Sequence, residues 1–293
     1  MMRHILLATD LTARSDRAVD RAVRLAHSTG AQLTVVHAVE DQKGIREEVN
    51  IPSWRSQKPG WQRLDRLIEA AGSEIRAQIG ALDHAAEVIV REGSAPDLVT
   101  RQMQERRFDL LVTGVARDTG QGRVVLGSTV ERSIKSGLAP VLVVKRRPLA
   151  PYERVVVATD FSQASSRALD VTLDLCPGVT IDLLHAYETE EEGMSAHLLG
   201  EDDPAYRHVR AEANAFLNRQ RDGERLRTIL EPGQPLSLLN SYAADHGVDL
   251  VAIGTHGRTG FLARLFGSVA ERVLLSAPCD VLVAGELGTR RPI

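Results

Sequence analysis

The chain has 293 residues, of which 43% are hydrophobic and 26% charged, and its formal net charge is -3. That length fits two domains of about 150 residues, and the composition is that of a soluble globular protein, not a disordered or fibrous one. A slightly acidic chain argues against a general nucleic-acid binder, which needs a basic face to release counterions.

No apolar run reaches membrane-spanning length, and the opening MMRHILLATD does not read as a signal peptide. The expectation is a cytoplasmic protein with neither membrane nor nucleic acid among its partners. Cys176 and Cys279 stand far apart with no CxxC and read as small buried apolar residues, not as a disulfide or a metal pair.

In chain order, HILLATD from His4 is a continuous apolar run, as a strand covered on both faces requires. Thr12 stands where a helix N-cap belongs, ahead of an Ala/Val/Leu stripe. LTVVHAVE is a second strand, and a variable segment over 41–60 leads to a helix near Trp61. EVIVREG is a third strand, SAPDLVTRQMQERR a helix, LLVTG a fourth strand, and VLVV a fifth after a last helix from Gly127. The whole order then repeats. RVVVATD from Arg154 echoes the first strand, with Ser162 at the N-cap position. IDLLHAYE echoes the second, RTILEPG the third, VDLVAIG the fourth, and GSVAERVLLSAPCDVLVA the last helix and strand. Between them lie a second variable segment, 189–204, and a helix beginning near Ala205.

Two copies of one domain, 1–147 and 151–287, are therefore joined around KRRPLAPYE. Strand-helix alternation builds an α/β fold with a mostly parallel sheet covered on both faces. Ligands in such sheets bind beyond the carboxyl ends of the strands, where the winding reverses. Two features fall there in each copy: the ATD acid (Asp10, Asp160) and the glycine after the fourth strand (Gly114, Gly254).

The second copy continues with GTHGRTGFLARLFGS, a G-x2-G-x9-G-S spacing over Gly254, Gly257, Gly267 and Ser268. With ATD closing the first strand and HA closing the second, this pattern resembles the universal stress protein family, over nearly the whole chain as two tandem copies. The resemblance implies Rossmann-like five-stranded domains of strand order 3-2-1-4-5, related by a pseudo-twofold through their fifth strands. It also implies ATP as the usual ligand, with a Mg ion able to accompany the nucleotide. In that reading Asp160 holds the ribose, Ala158 and Thr159 line the adenine side, and the backbone near Ala186 meets the adenine edge. Gly254 and Gly257 let the loop approach the phosphates, and Arg258 and Arg264 add charge-assisted contacts; His256, within the same loop, either touches a phosphate or faces solvent. Gly267, Ser268 and Val269 present a helix N-terminus, where free N–H groups and the macrodipole favour an anion.

The first copy keeps Asp10, Gly114, Gly127 and Ser128, but GVARDTGQGRVVLGS puts Arg117 where the second glycine should stand. The expectation there is a weakened or empty site. His37 and His185, which recur at the end of the second strand, read as packed or hydrogen-bonded histidines, with no metal site implied. Catalytic signatures such as HExxH or GxSxG are absent from the chain, so a non-enzymatic regulator is expected. The rival readings are a nucleotide-independent, chaperone-like interaction protein and a slow ATPase. An unidentified protein partner is implied in each case, with association of two chains as a further expectation.

Overall fold

The structure, a computed structural model, describes residues 2–13, 15–39, 60–80, 86–115, 126–188, 203–255 and 268–285. The first half contains β1 (His4–Ala8), α1 (Asp16–Thr29), β2 (Gln32–Val39), α2 (Gly60–Ile79), β3 (Glu87–Glu92), α3 (Ala95–Glu105), β4 (Leu110–Gly114), α4 (Ser128–Ser136) and β5 (Val141–Val144). The second half contains β6 (Val155–Ala158), α5 (Gln163–Leu175), β7 (Ile181–Tyr187), α6 (Pro204–Leu217), β8 (Leu226–Pro232), α7 (Pro235–Asp245), β9 (Leu250–Gly254), α8 (Ser268–Ser276) and β10 (Asp280–Ala284).

All ten strands form one sheet in the order β3-β2-β1-β4-β5-β10-β9-β6-β7-β8. Each half thus has the order 3-2-1-4-5, with parallel pairing throughout. The halves meet through β5 and β10, which pair antiparallel. Val141 faces Val283, Leu142 faces Leu282 and Val143 faces Val281. Leu142 and Leu282 are equivalent residues of the repeat, so the pseudo-twofold passes through that pair. The antiparallel join also turns the carboxyl ends of β1 and β4 towards one rim of the sheet, and those of β6 and β9 towards the opposite rim.

Side chains alternate between the two faces, as the period of a strand requires. Ile5 and Leu7 enter one core while Leu6 enters the other, and Val155 and Val157 are divided from Val156 in the same way. The first core lies beneath α1, α2, α5 and α6, with Leu25, Ile75, Leu169 and Phe216. The second lies beneath α3, α4, α7 and α8, with Met103, Ile134, Leu239 and Leu274. Each core runs across both halves, so apolar burial on either face secures the pairing as well as the separate domains.

The repeated aspartate ahead of the fourth strand has a local task. Asp109 accepts the amides of Arg3 and His4 at 2.7 and 3.0 Å, and Asp249 accepts those of Glu153 and Arg154 at 2.9 and 3.3 Å. These bonds fix the amino ends of β1 and β6 beside their neighbours. One N-cap expectation is corrected. Ser162 caps α5, accepting from the Ser165 amide, whereas at α1 the N-cap position falls at Ser15, not Thr12, and no side chain caps it. The Thr12 hydroxyl donates instead to Asp10 Oδ1 at 2.7 Å, and its carbonyl takes the Ser15 amide, so the helix begins later.

A buried polar knot ties the linker to both halves and has no counterpart in the repeat. Asp280, fully buried at the start of β10, accepts the amides of Lys145 and Arg146 at 2.8 and 3.0 Å and the Tyr152 hydroxyl at 2.7 Å. Arg21 of α1 lies 3.4 Å from the same carboxylate and stacks on the Tyr152 ring at 3.8 Å. Pro140 occupies the position equivalent to Asp280, so only one side of the join carries this arrangement.

Candidate functional site

Each half places a strand-to-helix turn at the carboxyl end of its first strand, and both turns are built alike. Thr9 and Thr159 are buried, and their hydroxyls accept the amides of Leu11 and Phe161 at 3.1 and 2.9 Å. The same hydroxyls bond Ser15 and Ser165 at 2.9 and 3.0 Å. Their carbonyls meet Nδ1 of His37 and His185 at 2.9 and 2.7 Å, which gives the recurrent histidines a structural role. Every polar group of Thr159 therefore has a partner inside the fold, since its amide also bonds the Leu184 carbonyl at 2.9 Å. At the cleft Thr159 acts by shaping the turn.

The acids follow directly. Asp10 Oδ1 accepts the Thr12 amide at 3.0 Å, and Asp160 Oδ1 accepts the Ser162 amide at 3.1 Å. A turn of this kind fixes the direction of the carboxylate. Burial opposes the charge on Asp10, but hydrogen bonds from the Thr12 hydroxyl and amide outweigh it and hold the carboxyl below its usual range.

Leu11 and Phe161, next in sequence, adopt φ of 57° and 62°. Left-handed backbone costs a residue with a side chain about 1–2 kcal/mol, and finding it at equivalent positions marks the turn as constrained by its surroundings. Phe161 is held by stacking on His185, with centroids 4.5 Å apart. Nothing in the residue types foretold this, because Leu and Phe are poor left-handed residues.

Across the sheet, Ala158 is in register with both Leu184 of β7 and Ile253 of β9. Asp160 is two residues beyond that line and Gly254 one residue beyond, on adjacent strands about 4.8 Å apart. Ala186, further along β7, pairs with Glu231 of β8. Ser268 opens α8, and Val269 beside it is 49% exposed. The first half repeats this layout with Asp10, Gly114 at the end of β4, and Gly127 and Ser128 at the start of α4. Gly127 provides no side-chain cap, so the first-turn amides of α4 point out without one. His256, Gly257, Arg258, Arg264, Gly267 and Arg117 lie outside the described residues.

Gly254 has a packing role that sequence spacing did not show. A Cβ there would lie 3.0 Å from the Ala164 carbonyl carbon and 3.1 Å from both Ala164 Cβ and the Ser165 amide. The glycine lets the first turn of α5 close against β9, which brings the Asp160 turn against the end of that strand. Among the described residues no group of three or more His, Cys, Asp or Glu could hold a metal, and no helix is long and apolar enough to cross a membrane.

Two stretches, 1–145 and 151–285, each match the family model described as the universal stress protein family. The chain belongs to that family. It is 26% identical over 298 residues to a universal stress protein of Mycolicibacterium smegmatis, covering 95% of this chain and 96% of the relative. A universal stress protein of Mycobacterium tuberculosis is also 26% identical, over 294 residues and 96% of both chains. Among solved structures, a universal stress protein from Archaeoglobus fulgidus superposes with a TM-score of 0.68 at 19% identity, covering 96% of this chain and 98% of that one. The tandem arrangement is thus shared, as a fold, along the full length of another universal stress protein.

Proposed function

We propose that this universal stress protein is a cytoplasmic regulator that binds an adenine nucleotide, foremost ATP, in the cleft of its second half. The observation that carries the reading is the convergence, at one end of adjacent strands β6 and β9, of an acid fixed by its own turn and the glycine that closes β9. Asp160 takes the ribose hydroxyls, with Ala158 and the backbone at Ala186 flanking the base. In this reading His256, Gly257 and Arg258, which follow Gly254 in sequence, meet the phosphates. Gly267, Ser268 and Val269 offer amides at the start of α8, where the helix dipole favours negative charge. A bound triphosphate, with or without Mg, supplies the negative charge that these donors and Arg258 are suited to hold.

The first half keeps Asp10, Gly114, Gly127 and Ser128, and the uncapped start of α4 suits an anion. Arg117, standing where the second copy has Gly257, makes this the weaker site. We read both clefts as binding sites and not active sites, because the chain has no catalytic signature beside them. Loading then alters which protein the surface holds. The tight packing of Gly254 on α5 favours a second reading in part: that glycine has a purely structural use, as a nucleotide-independent interaction module would require.

Mass spectrometry of small molecules released from purified, acid-denatured protein separates these readings. About one ATP per chain, reduced in Asp160→Ala and Gly257→Glu, supports the proposal. Two per chain means that Arg117 is compatible with binding. No retained nucleotide, and none bound when Mg-ATP is added, leaves the interaction module.

A further inference from the structure

The sheet ends at β3, whose far edge has no strand partner among the described residues. The Gly93 amide donates to the Val39 carbonyl of β2 at 3.1 Å. Backbone N–H and C=O pairs alternate in direction along a strand, so the odd residues of β3 face β2. Val88, Val90 and Glu92 therefore direct their backbone groups to the open edge. Arg91 folds back and donates to the Val90 carbonyl at 3.2 Å, the kind of charged cover that keeps edge strands from pairing at random.

Beside this edge runs a groove of about 440 Å³ between α2 and β3. Ile68, Val88 and Val90 supply its apolar surface, and at Gly72 of α2 the Arg76 side chain lies so close that an added Cβ would meet its Nη1 at 3.3 Å. Arg76 and Arg91 stand at the groove against a single carboxylate, Glu69. Among the described residues Arg76 makes no ion pair. In the repeat, Glu231 takes the place of Arg91, so this positive character belongs to the first half alone.

We propose that the groove accepts an extended acidic segment of a partner protein, added to the sheet as a strand beyond β3. Its backbone pairs with the outward groups of Val88, Val90 and Glu92, as in other cases of strand addition to a sheet edge. An acidic side chain draws Arg91 off the Val90 carbonyl and is held between Arg91 and Arg76. The open edge favours a peptide over a small anion, which would engage the arginines and leave the strand groups unused.

The full-length protein is used to select from a display library of random eight-residue peptides, and the enriched peptides are labelled for fluorescence anisotropy. Enrichment of acidic sequences is expected, with binding weakened at least about tenfold in the Arg76→Glu/Arg91→Glu double variant. The melting temperature of that variant should stay near that of the parent, since both side chains are exposed. Hydrogen exchange should slow at the amides of residues 88, 90 and 92 when peptide binds. No enrichment, enrichment of neutral or basic peptides, or binding without protection of β3 would each overturn the proposal. So would saturation of the arginines by inorganic phosphate in the absence of any peptide binding, which would make the groove a small-anion site.

Discussion

The Tyr152 hydroxyl donates to the Asp280 carboxylate at 2.7 Å inside the protein, binding the inter-domain linker to the strand that joins the two halves. Arg21 completes the arrangement from α1, so three separate parts of the chain depend on one buried acid. Removing one partner of a buried ion pair typically costs about 3–5 kcal/mol, because the remaining charge is left without compensation. Asp280→Ala should lower stability by that order. Tyr152→Phe, which removes one hydrogen bond, should cost about 1–3 kcal/mol. Urea unfolding followed by circular dichroism gives both values, and an unchanged midpoint for Asp280→Ala would show that the knot adds no stability.

Lys145 makes the same region sensitive to pH. Burial pushes its ammonium down to about 8, against an ordinary value of 10.5, while its Nζ donates to the Ala277 carbonyl at 2.8 Å. Between those two values the unfolded chain binds more protons than the folded one, so this group's contribution to stability rises with pH. It is complete above the unfolded value and lost as pH falls through about 8. Wild type should therefore gain stability relative to Lys145→Met as pH is raised through this window. Parallel slopes for the two proteins in pH-dependent urea titrations would contradict the assignment.

The two cysteines work in the opposite direction. Burial pushes both the Cys176 and Cys279 thiols up to about 12 from an ordinary value of 9.0. They stay protonated in the fold at a pH where unfolded thiols ionise, so their linkage lowers stability as pH rises past that ordinary value. A thiol held neutral and out of solvent is a poor nucleophile. Ellman's reagent should react with native protein only at the rate of opening, and with denatured protein at once, releasing two equivalents. Rapid stoichiometric reaction of the native protein would show that one of the sites is open.

Two glycines should respond to alanine with opposite signs. At Gly254 the new methyl group meets backbone atoms of α5 at 3.0–3.1 Å, which cannot move cheaply. Overpacking of that kind costs about 1–3 kcal/mol. At Gly72 the nearest atom is the end of the flexible Arg76 side chain, and the site is within a helix, where Ala is favoured over Gly by about 1 kcal/mol. Thermal unfolding should place Gly254→Ala below the parent and Gly72→Ala above it. The same order for both would remove the packing argument at Gly254.

Much of the architecture was legible because it is written in local patterns that occur twice. Continuous apolar runs such as VVVA and VLVV mark buried parallel strands, and the repeat itself fixed the number and order of elements. The fifth-strand pairing was legible only through the family resemblance. The Asp280 knot was not, since Arg21, Tyr152 and Asp280 come together only after both halves have folded. Thr12 misled for a local reason: a threonine three residues before the N-cap position can serve either the helix or the acid before it, and here it serves Asp10. At the candidate site, the acids and the first glycine could be placed from sequence. The left-handed turn at Leu11 and Phe161 could not, because tertiary packing, as of Phe161 on His185, overrides what those residue types prefer.

The antiparallel meeting of β5 and β10 has a consequence for traffic around the molecule. Because it sends the two clefts to opposite rims, a body docked at one mouth and a body docked at the other approach from different sides and need not meet. Under the proposed function, each end of the chain then takes its own occupant. Arg117 occupies in the first copy the sequence position that Gly257 holds in the second, so under the proposed function the two ends differ in what they hold.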